Sequence, residues 1–392
     1  MVLRFLKRMN PWSSLAGLPE LAWWLALATF VNRAGTMVLP FLLLYLTRHL
    51  GWEADRASWI LLLYGLCSVV AGPLSGRLCD RFGCGRVCWL SLTTSALVLL
   101  AFPVAESAQG VGLLTALMAF SGGAFRPANL ALQAHVLGPE HRKRGFVLSR
   151  LAANAGMSIG PAVGGLLAGL WFPSIFLVDG LSALVAGLIL RRRIWAIRGP
   201  GKAQDDGGCS DSPLADKRFL RLLLGSVVVT LGMFQIDSTL ALTVVNDLGL
   251  SEREFGLIFT VNTLFILAFE VAINQRTSAW SSERTLFLGA VLIGVGLGLS
   301  ALVGALGGLL LITLVWTVGE ILFFPAQLAR VADIAPEDRM GAYMGYLTSA
   351  FGISFALAPA LGVPLYRALG QAGFWPLVFL VCAIGGFLAG RD

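Results

Sequence analysis

Charge is scarce in this 392-residue chain, where Asp, Glu, Lys and Arg together make up 13% of the residues. Soluble domains carry roughly 25%, so there is too little polar surface here to cover a water-soluble globule. Soluble enzymes, nucleic-acid-binding domains and disordered chains are excluded. Histidine is rarer still, at three, and suggests no metal site. No Gly-x-x-x-x-Gly-Lys-Ser/Thr string occurs, so ATP has no visible phosphate cradle. No nucleophile–base motif stands out either; the expectation is a non-enzyme with no cofactor. The six cysteines (67, 79, 84, 88, 209 and 382) fall in predicted spans or on the predicted cytoplasmic side, which implies no disulfide framework. Cys79, Cys84 and Cys88 cluster, but without a neighbouring His or a paired C-x-x-C they are a poor metal set.

Apolar residues fill the space that charge leaves: 57% of the chain is hydrophobic, 46 residues are Gly, and mean hydropathy is +0.79. Many glycines suit helices that pack closely in lipid. Twelve long apolar runs are read at 20–46, 57–78, 87–105, 111–136, 146–170, 173–190, 219–245, 255–274, 285–304, 307–331, 342–366 and 374–390. A bilayer core needs about 20 mostly apolar residues per helix, and a β-barrel would show short alternating segments instead. The expectation is therefore an all-α integral membrane protein with twelve transmembrane helices. A polar linker, 191–218, divides a first bundle, 1–190, from a second, 219–392.

Basic residues orient the chain. With the N-terminus inside, 23 of the 29 Lys and Arg fall on the cytoplasmic side, among them Arg4, Lys7, Arg8, Arg142, Lys143, Arg144 and Arg150. The outer loops hold Arg48, Arg56, Arg253 and Arg367. Both termini are thus expected in the cytoplasm, and the pI near 9.4 reflects a membrane topology rather than nucleic acid. The basic N-terminus precedes an apolar run too long for a signal peptide, with no small-residue cleavage site.

The two halves repeat. Pro127-Ala128-Asn129-Leu130-Ala131 matches Pro325-Ala326-Gln327-Leu328-Ala329 at an offset of 198, and the same offset pairs Pro161 with Pro359, Gly164 with Gly362 and Arg86 with Arg284. Two six-helix halves in parallel repeat are an architecture of secondary transporters.

On these residues the whole chain resembles the major facilitator superfamily, which implies that fold: two pseudo-symmetric six-helix bundles. The loop after the second span reads Gly76-Arg77-Leu78-Cys79-Asp80-Arg81-Phe82-Gly83-Cys84-Gly85-Arg86. It is similar to the family's Gly-x-Leu-x-Asp-Arg-x-Gly-Arg-Arg/Lys motif, with Cys84 and Gly85 departing and the basic residue displaced to Arg86. The resemblance implies a cytoplasmic latch in which Gly76, Asp80, Arg81, Gly83 and Arg86 gate. An acid at a helix N-terminus is stabilised by the helix dipole; an ordinary tight turn at Gly83 and Gly85 is the alternative. The fifth span carries Gly156, Gly160, Pro161, Gly164 and Gly165, similar to the string of the antiporter (drug efflux) branches. Small residues four apart permit close helix packing, and the proline kinks the helix.

Four charges stand inside predicted spans: Arg33, preceded by Asn32, in the first; Arg126 in the fourth; Asp237, flanked by Gln235 and Ser238, in the seventh; and Glu320 in the tenth. Each costs at least about 2.5–3.5 kcal/mol at mid-bilayer unless a cavity or partner receives it. The resemblance implies that these spans line a central cavity. The reading is that Asp237 and Glu320 carry protons, while Asn32, Arg33, Arg126, Gln235 and the two acids contact a small-molecule substrate. Buried ion pairs that clamp the halves are the alternative. Asp179 reads equally as packing residue or relay, and Glu270 is expected to reach water. Asn129, Gln133, Asn154 and Asn262 either line the cavity or link helices. Phe234, Phe323 and Phe324 are weaker candidates for an apolar ligand.

The expected function is a proton-coupled exporter of small amphipathic compounds working by alternating access, similar to the drug:proton antiporter-1 branch. The expected setting is a bacterial inner membrane and the expected state a monomer, with protons, lipid and a small solute as partners. A proton-coupled symporter of small peptides or other zwitterionic or anionic solutes is the alternative. Against it, the oligopeptide transporters' Glu-x-x-Glu-Arg is absent where this chain reads Thr29-Phe30-Val31-Asn32-Arg33. A sensor would need an appended soluble domain, and the longest loop is the linker.

Overall fold

The computed structural model describes residues 15–194 and 212–391, and every regular element in them is helical. The basic residues Arg4, Lys7 and Arg8, linker residues 195–211 with Cys209, and Asp392 lie outside the described residues. So do the side chains of Arg48, Pro161 and Arg253.

The first predicted span is two helices, which corrects the single run read from hydropathy. α1 (Glu20–Gly35) ends at Thr36 (φ −69°, ψ 88°), and α2 (Val38–Leu44) begins after Met37 (φ −127°, ψ −16°) and continues as a π turn, Tyr45–His49. Pro40 has no N–H for the Thr36 carbonyl, so a continuous helix here would lack that ladder bond. α3 (Ala54–Phe82) stops at Gly83, whose φ of 90° is a backbone state suited to glycine and whose N–H closes on the Cys79 carbonyl at 2.8 Å. α4 (Cys84–Ala101) follows directly. α5 (Ala108–Leu170) holds the fourth and fifth spans, turned at Gly138 (φ 59°, ψ 166°), where Arg142 Nε donates to the Ala134 carbonyl at 2.9 Å. α6 (Ser174–Ile194) completes the half.

The second half repeats the plan. α7 (Lys217–Met233) is capped by Asp216, which accepts from the N–H groups of Arg218 and Phe219 at 2.9 and 3.2 Å. It gives way to a 3₁₀ turn (Phe234–Asp237), a short α segment (Thr239–Ala241) and a π turn (Leu242–Asp247). Here the hydroxyls of Ser238, Thr239 and Thr243 each donate to the carbonyl four residues back, the kind of side-chain bonding that competes with a regular helix. α8 (Glu252–Arg276) opens on a Ser251–Glu254 capping box. Then come α9 (Ser282–Gly298), α10 (Leu306–Ile334) and α11 (Met340–Ala389), which holds the last two spans turned at Gly370 (φ 66°).

Among the described residues, nine segments are long and apolar enough to cross a membrane. Two of them, α5 and α11, each hold two spans, and the broken first span adds another, so all twelve predicted runs lie on helix. Leu62, Leu66, Val70, Leu74 and Leu78 on α3 are all exposed at a spacing of four. In water that stripe would be a liability; it suits lipid.

The chain falls into two compact units: Leu18–Cys209 with Ala335–Ser349, and Met1–Gly17, Ser210–Ile334 and Ala350–Asp392. The start of α11 thus belongs with the first half of the sequence. In the first unit, Tyr45 sits among Phe102, Phe172 and Phe176, with centroids 4.6–6.1 Å from its own. In the second unit, Tyr366, Phe374 and Trp375 pack at 5.2–6.3 Å.

Candidate functional site

In the first unit, Asn32 and Arg33 occupy the last turn of α1, directly before the break. The helix-packing glycines of the fifth span meet that same stretch. A Cβ on Gly156 would lie 2.7 Å from both the Arg33 Cβ and the Phe30 carbonyl oxygen. One on Gly160 would lie 2.9 Å from the Thr36 carbonyl, and one on Gly164 would lie 2.8 Å from the Met37 Cβ. These three glycines therefore let the fifth span press on the interrupted backbone, whereas a Cβ on Gly165 would meet Phe41 at an ordinary 3.7 Å. From the other side, Asp179 on α6 accepts hydrogen bonds at Oδ2 from the N–H groups of Met37 (3.2 Å) and Val38 (3.3 Å). Arg33 lies within electrostatic range of both Asp179 and Tyr64.

Arg126 is exposed on α5, within electrostatic range of Arg33 and Arg150. The unit thus gathers three guanidinium groups, with Arg150 within electrostatic range of Arg126. Polar side chains tie the surrounding helices: Asn129 Nδ2 donates to Thr29 Oγ1 at 2.9 Å, and Gln133 Nε2 to Ser149 Oγ at 3.0 Å.

At the far end of α3, Asp80 receives the N–H groups of Gly341 (2.8 Å) and Ala342 (2.9 Å), the start of α11, within the same unit. Two such bonds to a carboxylate at a helix N-terminus combine charge-assisted hydrogen bonding with the helix dipole. The approach is possible because Gly72 and Gly76 oppose Gly345 and Gly341. A Cβ on Gly76 would fall 2.3 Å from the Gly341 carbonyl, and one on Gly345 would fall 2.4 Å from that of Gly72. Arg81 and Arg86 are exposed, Arg81 lying over the Phe82 ring.

In the second unit, Gln235 is buried at the interruption after α7. Its Nε2 donates to the carbonyls of Leu231 (3.1 Å) and Ala358 (3.0 Å), and its Oε1 accepts from Thr239 Oγ1 (3.0 Å). Asp237, two residues on, is exposed. Glu320 is 5% exposed in the middle of α10, with Asn262 Nδ2 reaching its Oε1 at 3.5 Å and Thr317 Oγ1 at 2.9 Å. Glu270, expected to reach water, is fully buried instead. Asn274, one turn on, donates to the Glu270 and Ile321 carbonyls, closing α8 onto α10 there. Phe323 is fully buried, while Phe234 and Phe324 form a cluster with Phe351.

The sequence reading did not find Asp179 as the pin of the first break, nor Gly341 and Ala342 as partners of Asp80. The facing Gly72-x-x-x-Gly76 and Gly341-x-x-x-Gly345 strings were a usable signal for the latter.

A membrane-embedded helical repeat with ionisable residues inside its spans defines a class, the multi-pass secondary transporters. The chain matches the family model of the Major Facilitator Superfamily over residues 25–222 and 222–390, and it belongs to that superfamily. It is a transporter of small-molecule solutes rather than an enzyme. It is similar to the Na(+), Li(+), K(+)/H(+) antiporter of Planococcus maritimus, 21% identical over 92% of each chain. It is also similar to the quinolone resistance protein NorA of Staphylococcus aureus (strain MSSA476), 24% identical over 85% of this chain and 89% of that one. Among solved structures, the human organic anion transporter MFSD10 shares the fold, with a TM-score of 0.74, 19% identity and coverage of 94% of this chain and 98% of that one.

Proposed function

We propose that this transporter is a proton-coupled exporter of small amphipathic compounds, an antiporter working by alternating access as a monomer in a bacterial inner membrane, with both termini cytoplasmic. The observation that carries the reading is the buried carboxylate of Glu320, held by the Asn262 amide inside a membrane span. An ionisable side chain inside a membrane span is costly and marks a functional site, and in this account it binds and releases a proton as its surroundings change. Asp237 and Glu320 are the proton carriers in this account. Asn32, Arg33 and Arg126 receive the solute, with Arg150 adding to the positive field. Gln235 contributes by holding the seventh span's interruption in place. Gly76, Asp80, Arg81, Gly83 and Arg86 gate, and Gly156, Gly160, Pro161, Gly164 and Gly165 pack the first span. The similarity to a cation/proton antiporter and to a quinolone resistance protein supports antiport and efflux.

A symporter of anionic or zwitterionic solutes is the second reading, favoured by the grouping of Arg33, Arg126 and Arg150. Direction separates the two. Inverted vesicles carrying an imposed pH gradient would be challenged with quinolones, small peptides, organic anions and alkali cations. An exporter consumes the gradient and accumulates solute inside the inverted vesicle, whereas a symporter moves both the same way. Glu320→Gln is expected to cut proton-driven flux at least tenfold while leaving solute counterflow measurable. Full proton-driven flux in that variant contradicts the assignment.

A further inference from the structure

We propose that Asp179 is a further proton-binding site, in the first unit, whose ionised carboxylate pins the interrupted first span and whose protonation frees it. Resting on the proton-coupled reading above, this adds a site that the reading does not use.

The geometry is specific. Asp179 is 6% exposed and lies 142 residues from the backbone it holds, the N–H groups of Met37 and Val38. Those groups lie at a point where the helix ladder is interrupted. The charged and titratable groups facing the carboxylate are Arg33 from α1 and Tyr64 from α3. α5 presents glycines to the same stretch of backbone, and α4 packs against the neighbouring Gly180 through Leu100 and Ala96. Ser182, on the same face of α6, donates its hydroxyl to the Asp179 carbonyl and not to the carboxylate. The carboxylate therefore has two interactions that matter, hydrogen bonds from the broken backbone and attraction to the Arg33 charge within electrostatic range. A proton on it weakens both at once.

The second half shows that the break itself needs no acid. Pro173-Ser174-Ile175-Phe176-Leu177-Val178-Asp179 aligns with Pro376-Leu377-Val378-Phe379-Leu380-Val381-Cys382. At the Asp179 position stands Cys382, a buried thiol that makes a weak 3.9 Å approach to the Val229 carbonyl. The seventh span breaks nonetheless, and a neutral amide, Gln235, holds it. A fold that can pin such a break without charge has placed an ionisable one beside an arginine in only one of its halves. A group that binds and releases a proton is the use that this placement serves.

The test reads backbone hydrogen exchange of the full-length protein in lipid nanodiscs, as protection factors for peptides covering 33–42, from pH 5 to pH 9. A hydrogen bond to a charged acceptor exceeds one to a neutral acceptor by roughly 1 kcal/mol or more. The wild type is therefore expected to lose protection at 37–38 by about fivefold or more from high to low pH. Asp179→Asn is expected to show the lower protection at every pH, and Glu320→Gln to keep the wild-type step. Uniform protection across the range in the wild type overturns the proposal, and so does a pH step that survives in Asp179→Asn. The wild-type series stands even where the variant fails to fold. No transport assay enters, so an unchanged flux in Glu320→Gln would remove the proton role of Glu320 and leave this site intact. A flat exchange profile would do the reverse.

Discussion

The first and seventh spans, related by an offset of 198 residues, follow one backbone plan with different chemistry. Each interrupts its α-helix part-way and finishes in a π turn, Tyr45–His49 in one and Leu242–Asp247 in the other. Each is then closed by a glycine with φ near 65°, Gly51 and Gly249. Even the closing bonds correspond: the Leu50 N–H donates to the Tyr45 carbonyl at 3.1 Å and the Leu248 N–H to the Thr243 carbonyl at 3.0 Å. The side chains diverge. Tyr45 is wrapped in Phe102, Phe172 and Phe176, whereas its counterpart Thr243 donates to Tyr366 Oη at 2.7 Å and accepts from Trp375 Nε1 at 3.1 Å. At the break itself, a carboxylate serves one half and an amide the other. The repeat preserves backbone form, and the side chains that hold it differ in whether they can ionise.

That contrast can be broken from either side. The largest effect is expected at Gly156, where an added side chain meets the Phe30 carbonyl and the Ala34 nitrogen at 2.7–2.8 Å, backbone atoms that cannot swing aside. Gly156→Val should cost about 3 kcal/mol, at the upper end of overpacking penalties, read as a clear fall in thermal midpoint in detergent. A variant as stable as wild type would show that the first span is not pressed by the fifth. Next comes Gln235→Leu, which strips the amide from the second break and leaves the Ala358 carbonyl without it. A loss of about 1–2 kcal/mol is expected, with no dependence on pH between 5 and 9. A pH-dependent loss there would erase the distinction between the halves. The smallest effect is at Ser354, the counterpart of Gly156, whose hydroxyl accepts from Thr230 Oγ1 at 2.8 Å. Ser354→Ala should cost only about 0.6 kcal/mol, typical of an interhelical hydrogen bond in a membrane, measured by the same thermal scan. A cost matching that of Gly156→Val would mean that the two crossings are packed alike.

Much of the fold could be read in advance because its cause is local. Hydropathy marked the apolar helical segments, since lipid demands a long apolar run whatever the neighbours are. The repeat was visible because Pro, Gly and Arg recur at one offset. The break at Thr36 was missed although Pro40 was in view, because a long apolar run looks the same whether or not its helix ladder is complete. The spacing of Gly156, Gly160 and Gly164 announced a close crossing but not which helix it would meet. Asp179 illustrates the harder limit. Its partners are backbone groups 142 residues away, and nothing in the identity of Met37 or Val38 marks their N–H groups as free. Gln235 was read as a solute contact, and its amide turns out to be engaged at both ends within its own unit.

The claim on which the account turns is that solute and proton compete through the acids of the second half. It is tested most directly by proton release from the purified transporter when a solute identified in the vesicle screen is added in weakly buffered solution without any gradient. The wild type should release protons on solute binding, and Glu320→Gln should bind the same solute with markedly less release. Equal release from both proteins, or none from the wild type while binding is saturated, would contradict it.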